Sequence, residues 1–224
     1  MSGVNIRKYP ANAGNVGGTR AASGIRYIVI HYTGNDGDTA MNNAKYYAGN
    51  VVKTSAHYFV DANEIVQSVD DLRVAWAVGG KKYPSCPQTG GGTLHGRCLN
   101  ANSISIELCD AKKDGVYAPS AKAVAQALEL TKALMKKYNI PADHVIRHYD
   151  VTGKICPNPY VYNTTKHTWD AFKKAIAESG TEDKDSMTKI TGKAEATAKQ
   201  MAAYIKAKNG SVAQSVLDMI PLYL

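Results

Sequence analysis

The segment from Ser103 to Cys109 alternates strictly between polar and apolar residues, and this pattern constrains the fold more than any other. Successive side chains of a strand point to opposite faces of its sheet. The apolar face would carry Ile104, Ile106 and Leu108, and the polar face Ser103, Ser105, Glu107 and Cys109. The segment is therefore predicted to be a half-buried strand whose polar face lines a cleft.

The other predicted elements favour an α/β fold. The apolar segment from Gly24 to His31 predicts a buried strand that ends at His31. Further strands are predicted at 55–61, 64–69 and 145–148, with a shorter apolar piece at 73–78. Helices are predicted at about 39–48 with Asp38 as N-cap, at 120–138 and at 168–178. The core-facing stripe of the helix at 120–138 is predicted to consist of Val124, Leu128, Thr131 and Met135, with Leu134 and Tyr138 beside them. Strands and helices in this order predict a central mixed β-sheet flanked by helices, with a short helical C-terminal tail.

The composition changes after residue 179, where a polar segment follows the last predicted helix of the sheet domain. We expect a domain over 1–179, a linker over 180–192 and a helical tail over 193–224. Because roughly thirty residues cannot hold an independent core, the tail must dock, oligomerise or begin a truncated second domain.

The chain carries a net charge of +8, which suits a polyanionic partner such as a nucleic acid, a membrane face or an anionic cell-wall polymer. A solvated basic surface without such a partner is equally consistent with this diffuse charge. A nucleic-acid role would predict a basic stripe interleaved with aromatic residues, and the sequence has none. No apolar segment approaches the roughly 20 residues that span a bilayer. The N-terminus has no secretory signature, which predicts either synthesis in the cytoplasm or a leader segment that this sequence does not include.

His31, His148 and Cys156 are candidate ligands of a zinc ion. Two imidazoles and a thiolate are donors that zinc accepts, and three protein ligands leave a fourth position for water, as in catalytic zinc sites. Each of these residues alone would more often be an ordinary buried polar side chain. The hypothesis rests on the set, together with the acidic and cationic residues in segments that can converge on it.

Glu107 and Lys154 are the candidate catalytic residues. Hydrolysis of an amide needs a base that takes a proton from water and passes it to the leaving amine, and Glu107 is the candidate for that role. It also needs a cation near the developing oxyanion, which Lys154 can supply.

His57 either contacts the substrate or is a core-facing strand histidine. Cys86 and Cys98 flank a glycine-rich stretch and could form a disulfide if their Cα atoms come close.

Four motifs occur in order along the chain: Ile28–Thr33, Ser55–Asp61, Asn102–Cys109 and His148–Pro157. Together they resemble the type 2 N-acetylmuramoyl-L-alanine amidases, a family that includes phage amidases and peptidoglycan recognition proteins. The resemblance covers roughly residues 20 to 178. It implies a zinc enzyme, a phage endolysin or autolysin, that cuts the amide bond between N-acetylmuramic acid and L-alanine in bacterial peptidoglycan.

The resemblance also assigns roles to individual residues. It implies that His31, His148 and Cys156 bind zinc, that Glu107 is the catalytic acid and that Lys154 acts near the metal. Some branches of the family carry a catalytic tyrosine where this chain has Ala56. This difference favours Glu107 as the residue that transfers the proton. Trp76 and His57 are the candidate substrate contacts. Such an enzyme would act on the cell wall after release from the cytoplasm, and its positive charge would favour anionic wall polymers.

Two other functions are consistent with the same residues. The fold can recognise peptidoglycan without cutting it, because a fold does not determine an activity. Recognition-only members of the family typically lack the cysteine ligand, and this chain has Cys156. A zinc peptidase that cuts the stem peptide itself would differ only in its products.

Overall fold

The computed structural model describes residues 4–163 and 165–178, in which ten strands and six helices are found, besides short 3-10 turns. The strands are β1 (Ile6–Lys8), β2 (Val16–Thr19), β3 (Tyr27–Tyr32), β4 (Tyr58–Val60), β5 (Ile65–Gln67), β6 (Arg73–Ala75), β7 (Ser103–Leu108), β8 (Lys112–Lys113), β9 (Val116–Tyr117) and β10 (Val145–Arg147). The helices are α1 (Ala40–Gly49), α2 (Cys86–Thr89), α3 (Ala121–Tyr138), α4 (His148–Thr152), α5 (Asn158–Tyr162) and α6, whose helical residues are 169–178.

Six of the strands form the central sheet in the order β1-β5-β4-β7-β3-β10. The β4–β5 pair is antiparallel, and the other four neighbouring pairs are parallel. The prediction of a mixed sheet flanked by helices is confirmed. Strands β2 and β6 pair separately, as do β8 and β9.

The two faces of the central sheet carry different side chains, as the alternation in β7 predicts, but the prediction that β7 is half-buried is wrong. Ser103 and Ser105 on its polar face are also buried, and only Glu107 is partly exposed. One face carries Ile28 and Ile30 of β3 together with Ile104 and Ile106 of β7, and α3 packs on it. The opposite face carries His31 and Glu107. Because α3 closes one face with apolar contacts, the polar side chains of β3 and β7 are left on the face that holds the candidate site.

Helix α3 begins and ends as predicted, but its buried stripe is shifted. Ser120 is the N-cap, since its side chain accepts from the N–H of Ala123, and Asn139 ends the helix in the left-handed conformation. Leu128 and Met135, predicted to face the core, are only partly buried. The fully buried positions include Ala127 and Leu130.

The predicted N-cap of α1 is wrong. Thr39 caps this helix, because its hydroxyl accepts from the N–H of Asn42. The Asp38 carboxylate instead accepts from the side chain of Asn43 and from the N–H of Asp110, a contact with the segment after β7. Asp38 therefore connects α1 to the end of β7.

The disulfide that the sequence left open between Cys86 and Cys98 is not formed, since both cysteines are free and buried. Helix α6 confirms the last predicted helix of the sheet domain, and Trp169, Phe172 and Ile176 pack inward from it. The predicted linker and tail over 180–224 lie outside the described residues. Among the described residues, no helix combines the length and apolarity needed to cross a bilayer.

Candidate metal centre and cleft

Strand register brings the candidate site residues together. His31 of β3 lies directly opposite Glu107 of β7. Arg147, the last residue of β10, lies opposite Ile30 on the other side of β3. His148 follows Arg147 and begins α4, so it arrives beside His31 at the same end of the parallel strands.

His31, His148 and Cys156 form a buried cluster of metal-binding side chains. One donor atom from each residue lies within 4.8 Å of the others, and all three side chains are buried. The distance from His31 Nδ1 to Cys156 Sγ is 3.7 Å. The two imidazole rings meet edge to face with their centroids 4.8 Å apart. The three residues singled out by their type in the sequence are thus brought to one point.

The donor set fits a zinc ion. Bond lengths of about 2.0–2.1 Å to nitrogen and about 2.3 Å to sulfur, at tetrahedral angles, put such donors about 3.6 Å apart, close to the observed separation. His148 Nδ1 is buried without a hydrogen-bond partner among the described residues. Buried polar atoms are rarely left unpaired, so an unpaired imidazole nitrogen here is consistent with a metal ligand.

Electrostatics keep both imidazoles neutral, which is the form that binds a metal. Burial lowers the pKa of His31 well below its usual value, and the neighbouring His148 and Lys154 lower it further. Burial also lowers the pKa of His148 to about 4, with Lys154 acting in the same direction. Neither ring therefore carries a positive charge that would repel a cation at neutral pH.

Cys156 is a neutral thiol in the absence of a cation. Burial raises the pKa of this thiol, and the nearby Glu107 raises it further. A hydrogen bond from the backbone of Tyr32 and the charge of Lys154 oppose these effects. A thiol in such surroundings ionises when a cation binds to it, so metal affinity at this cluster should depend on pH.

Glu107 lies beside the cluster with its side chain 20% exposed. Its Oε1 is 4.0 Å from His31 Nδ1, and its Oε2 is buried without a partner among the described residues. Burial raises the pKa of this carboxyl to about 7, and Asp38 adds to the rise while Lys154 opposes it. A carboxyl with a pKa near 7 can both take and give a proton at neutral pH.

A cleft of about 610 Å³ opens beside the cluster, and Lys154 and Trp76 both line it. His148 also lines this cleft, which puts a candidate metal ligand in its wall. The Trp76 indole packs over Gly17, where a Cβ atom would lie 2.9 Å from the indole nitrogen. Lys154 and Trp76, both singled out in the sequence, therefore lie in the wall of one cleft together with His148.

His57 is not brought to the cleft. Its side chain is fully buried, its Nδ1 accepts from the N–H of Ser105, and its Nε2 lies 3.1 Å from the carbonyl of Arg73 and 2.8 Å from the guanidinium of Arg20. Burial, followed by the charge of Arg20, lowers its pKa to about 3. Of the two roles predicted for His57, the structure favours the core-facing strand histidine, and we do not place it among the substrate contacts.

Several residues that line the cleft were not predicted from the sequence, among them Lys53, Lys81, Tyr83 and Asn100. They come from the loops around 50–57 and 79–102. Lysine, tyrosine and asparagine are ordinary loop residues, so their type carries no signal. The glycine pair at 79–80, just before Lys81, is the one feature of the sequence that indicates an unusual backbone conformation in this loop.

Residues 21–159, more than half of the chain, match the Amidase_2 family model, described as N-acetylmuramoyl-L-alanine amidase. The chain belongs to this family. All three residues of the buried cluster, together with Glu107 and Lys154, fall within the matched segment. The resemblance inferred from the four ordered motifs is confirmed.

Curated relatives of this amidase domain come from Bacillus. The N-acetylmuramoyl-L-alanine amidase CwlL of Bacillus licheniformis is 34% identical over 161 residues, which are 69% of this chain and 41% of that protein. The amidase XlyA of Bacillus subtilis is 34% identical over 158 residues, which are 70% of this chain and 46% of that protein. The chain therefore spans less than half the length of these relatives.

Solved structures of similar proteins share the fold. The catalytic domain of XlyA is 32% identical, with a TM-score of 0.58, and the match covers 77% of this chain and 99% of that one. PlyL is 28% identical, with a TM-score of 0.59, and the match covers 77% of this chain and 97% of that one. The matched region thus corresponds to nearly the whole of a domain described as catalytic in XlyA.

Proposed function

We propose that this chain is a zinc-dependent amidase that hydrolyses the bond between the lactyl group of N-acetylmuramic acid and L-alanine in bacterial peptidoglycan. The observation that carries this proposal is the buried cluster of two neutral imidazoles and one thiol, with the Glu107 carboxylate 4.0 Å from one of the imidazoles. The names of the relatives support the choice of bond, since each is called an N-acetylmuramoyl-L-alanine amidase.

His31, His148 and Cys156 would hold the zinc ion. When bound, the ion supplies Lewis-acid polarisation of a carbonyl and acidification of water. The depressed histidine pKa values keep the two nitrogen donors available, and burial of all three side chains excludes competing solvent. The protein's own contribution is thus a preformed, desolvated donor set.

Glu107 would move the proton that the hydrolysis requires. A water molecule adds to the amide carbonyl, the carboxylate of Glu107 takes a proton from that water, and the same group returns the proton to the leaving nitrogen of L-alanine. Formation of the C–O bond and breakage of the C–N bond leave a free carboxyl on the lactyl group and a free amine on the peptide. A pKa of about 7 suits both transfers near neutral pH.

Lys154 would stabilise the negative charge that develops on the carbonyl oxygen. It lines the cleft beside His148, and its positive charge acts on the pKa values of His31, His148 and Glu107. Lys154 is also close in sequence to Cys156, so the same turn would place the metal ligand and the cation.

The place of action and the partners are part of the same proposal. The net charge of +8 would favour adhesion to anionic wall polymers. We propose peptidoglycan as the substrate and the cell wall as the place of action after release from the cytoplasm. The domain over 1–179 would carry the activity, with the linker and tail following it.

Product analysis tests this proposal. Purified cell walls are digested with the zinc-loaded protein, and the soluble products are identified by mass spectrometry. We expect new L-alanine N-termini and intact stem peptides, both abolished by a chelator and restored by added zinc. Cuts within the stem peptide would indicate a peptidase, and binding to walls without any release would indicate a recognition module.

A further inference from the structure

Among the residues that the structure describes, the cleft beside the metal cluster is lined by three lysines and by no acidic residue. Lys53, Lys81 and Lys154 contribute to its wall together with aromatic and small polar residues. A volume of about 610 Å³ lies within the usual range for sites that bind small molecules. A concave surface with one sign of charge attracts ligands of the opposite sign, so this cleft suits a ligand that carries a carboxylate.

The three lysines that line the cleft come from different segments of the chain. Lys154 is the lysine of the metal end, where its charge influences His31 and Glu107. Lys53 and Lys81 enter from the loops at 50–57 and 79–102, and we call these two the distal lysines. The proposed chemistry uses Lys154 and leaves the distal lysines without a role.

The backbone at Lys53 is held in an uncommon conformation. Its φ is +59°, in the left-handed region that is costly for a residue with a side chain. The fully buried Asn15 holds this turn, because its Oδ1 accepts from the N–H groups of Val52 and Lys53. Its Nδ2 donates to the carbonyls of Tyr47 and Asn50. Four hydrogen bonds from one buried amide therefore fix where the Lys53 side chain begins.

The same anchor connects Lys53 to the wall that carries Lys81. The Ser55 hydroxyl donates to the carbonyl of Asn15 and accepts from the N–H of Trp76. The N–H of Ser55 also donates to the carbonyl of Trp76. The unit that fixes Lys53 therefore extends to Trp76, which lines the same cleft as Lys81.

We propose that Lys53 and Lys81 bind a free carboxylate of the stem peptide, so that the enzyme distinguishes acidic stems from amidated ones. This inference rests on the proposed function, which puts L-alanine at the metal end of the cleft. The next residue of a peptidoglycan stem is a D-glutamate joined through its side chain, and its α-carboxyl is either a free acid or a carboxamide. Amidation removes the charge that pairs with a lysine ammonium and leaves the rest of the peptide unchanged.

The test compares two soluble substrates that differ only in that group. They are N-acetylmuramoyl-L-alanyl-γ-D-glutamyl-L-lysine and its analogue with the glutamate α-carboxyl as a carboxamide. Values of kcat/KM are measured with the zinc-loaded full chain, and Kd values are measured by calorimetry with zinc-loaded Glu107→Gln, which should bind without turnover. The variants are Lys53→Met, Lys81→Met and the double variant, because methionine keeps most of the aliphatic length without the charge.

We expect the acid to be preferred over the amide, with each distal lysine contributing about two- to fivefold, since ion pairs at exposed groups are weak. The ratio of kcat/KM for the acid to kcat/KM for the amide should fall in each single variant and approach one in the double variant. Lys122→Met is the matched control, because Lys122 is an exposed residue of α3 on the opposite face of the sheet. It removes the same charge and should keep the wild-type ratio.

Equal Kd values for the acid and the amide, measured with both distal lysines present, would overturn the inference. An unchanged acid-to-amide ratio of kcat/KM in the double variant would also overturn it, provided that this variant keeps the wild-type melting temperature. Failure of the proposed function gives a different result. In that case neither substrate is cleaved by the zinc-loaded protein, while the preference in Kd persists and is lost in the double variant, which supports the carboxylate site by itself.

Discussion

His31 and Glu107 lie directly opposite each other on neighbouring parallel strands, with His31 Nδ1 4.0 Å from Glu107 Oε1. Parallel pairing puts both side chains on the same face at the same height, so the register of two strands sets the distance from a metal ligand to the proton carrier. A one-residue slip would send one of the two side chains to the α3 face. The relative position of His31 and Glu107 is therefore fixed by the pairing of these two strands.

Replacing Glu107 with glutamine should abolish most of the activity while preserving the metal site. Glutamine keeps the shape of the side chain but cannot accept and return a proton, and such groups typically contribute about 10²- to 10⁴-fold in rate. The measurement is kcat on a soluble muramoyl peptide together with zinc content. Glu129→Gln, on the exposed surface of α3, is the matched control and should behave as the wild type. Full activity in Glu107→Gln would remove the proposed proton transfer.

Lys154→Met should lower kcat by about 10- to 100-fold without loss of zinc. The ammonium group would act on charge that develops in the reaction, and removing one such stabilising group from an active site usually costs at least this much. Steady-state kinetics measure the change, and Lys122→Met controls for the loss of one positive charge. A rise in KM at constant kcat would assign Lys154 to substrate binding instead.

His57 should make the fold sensitive to acid. Its pKa is about 3 in the folded protein and near 6.5 when unfolded, so below pH 6.5 the unfolded state binds a proton that the folded state does not. The free energy of unfolding should fall as the pH drops, by about 2 kcal/mol between pH 7 and pH 5 from this group.

The comparison for this prediction is His57→Asn, whose amide oxygen can accept from the Ser105 N–H as the ring does. Urea denaturation at several pH values gives the free energy of unfolding for both proteins. The wild type should lose more stability than the variant between pH 7 and pH 5, because all other titrating groups are shared. Parallel pH profiles would show that His57 is not buried in its neutral form.

Gly153→Ala should destabilise the region between α4 and the loop at 79–102. Gly153 has a φ of +83°, and a Cβ atom there would overlap with the sulfur of Cys86. The left-handed backbone and the overlap should together cost about 2–4 kcal/mol. Adding Cys86→Ala removes the sulfur, so the double variant should be more stable than the sum of the single effects predicts. Strict additivity in urea denaturation would contradict this contact.

Much of the fold could be predicted because its determinants are local. The period-two alternation in β7 and the apolar segment of β3 each specify a strand, and the ends of α3 are marked by Ser120 and Asn139. The metal cluster could be predicted from residue type, since few functions combine two histidines at the ends of strands with a cysteine in the following loop. Glu107 followed from its place on the polar face of β7.

The remaining features depend on contacts between distant segments. Aspartate is a common N-cap residue, but the Asp38 carboxylate accepts a hydrogen bond from the N–H of Asp110, 72 residues away. Thr39 caps the helix instead. His57 has the type of a site residue, but Arg20 and Ser105 enclose it. Lys53 is a lysine in a loop, and only the tertiary contacts of Asn15 show that its position is fixed.

The most direct test of the account is the zinc content of the purified protein, measured by elemental analysis for the wild type and for Cys156→Ser. Cys98→Ser is the matched control, because Cys98 is also a buried free cysteine but lies outside the metal cluster. The account predicts about one zinc ion per chain in the wild type and in Cys98→Ser, and a large loss in Cys156→Ser. Equal zinc content in all three proteins, or none in the wild type after zinc loading, would contradict it.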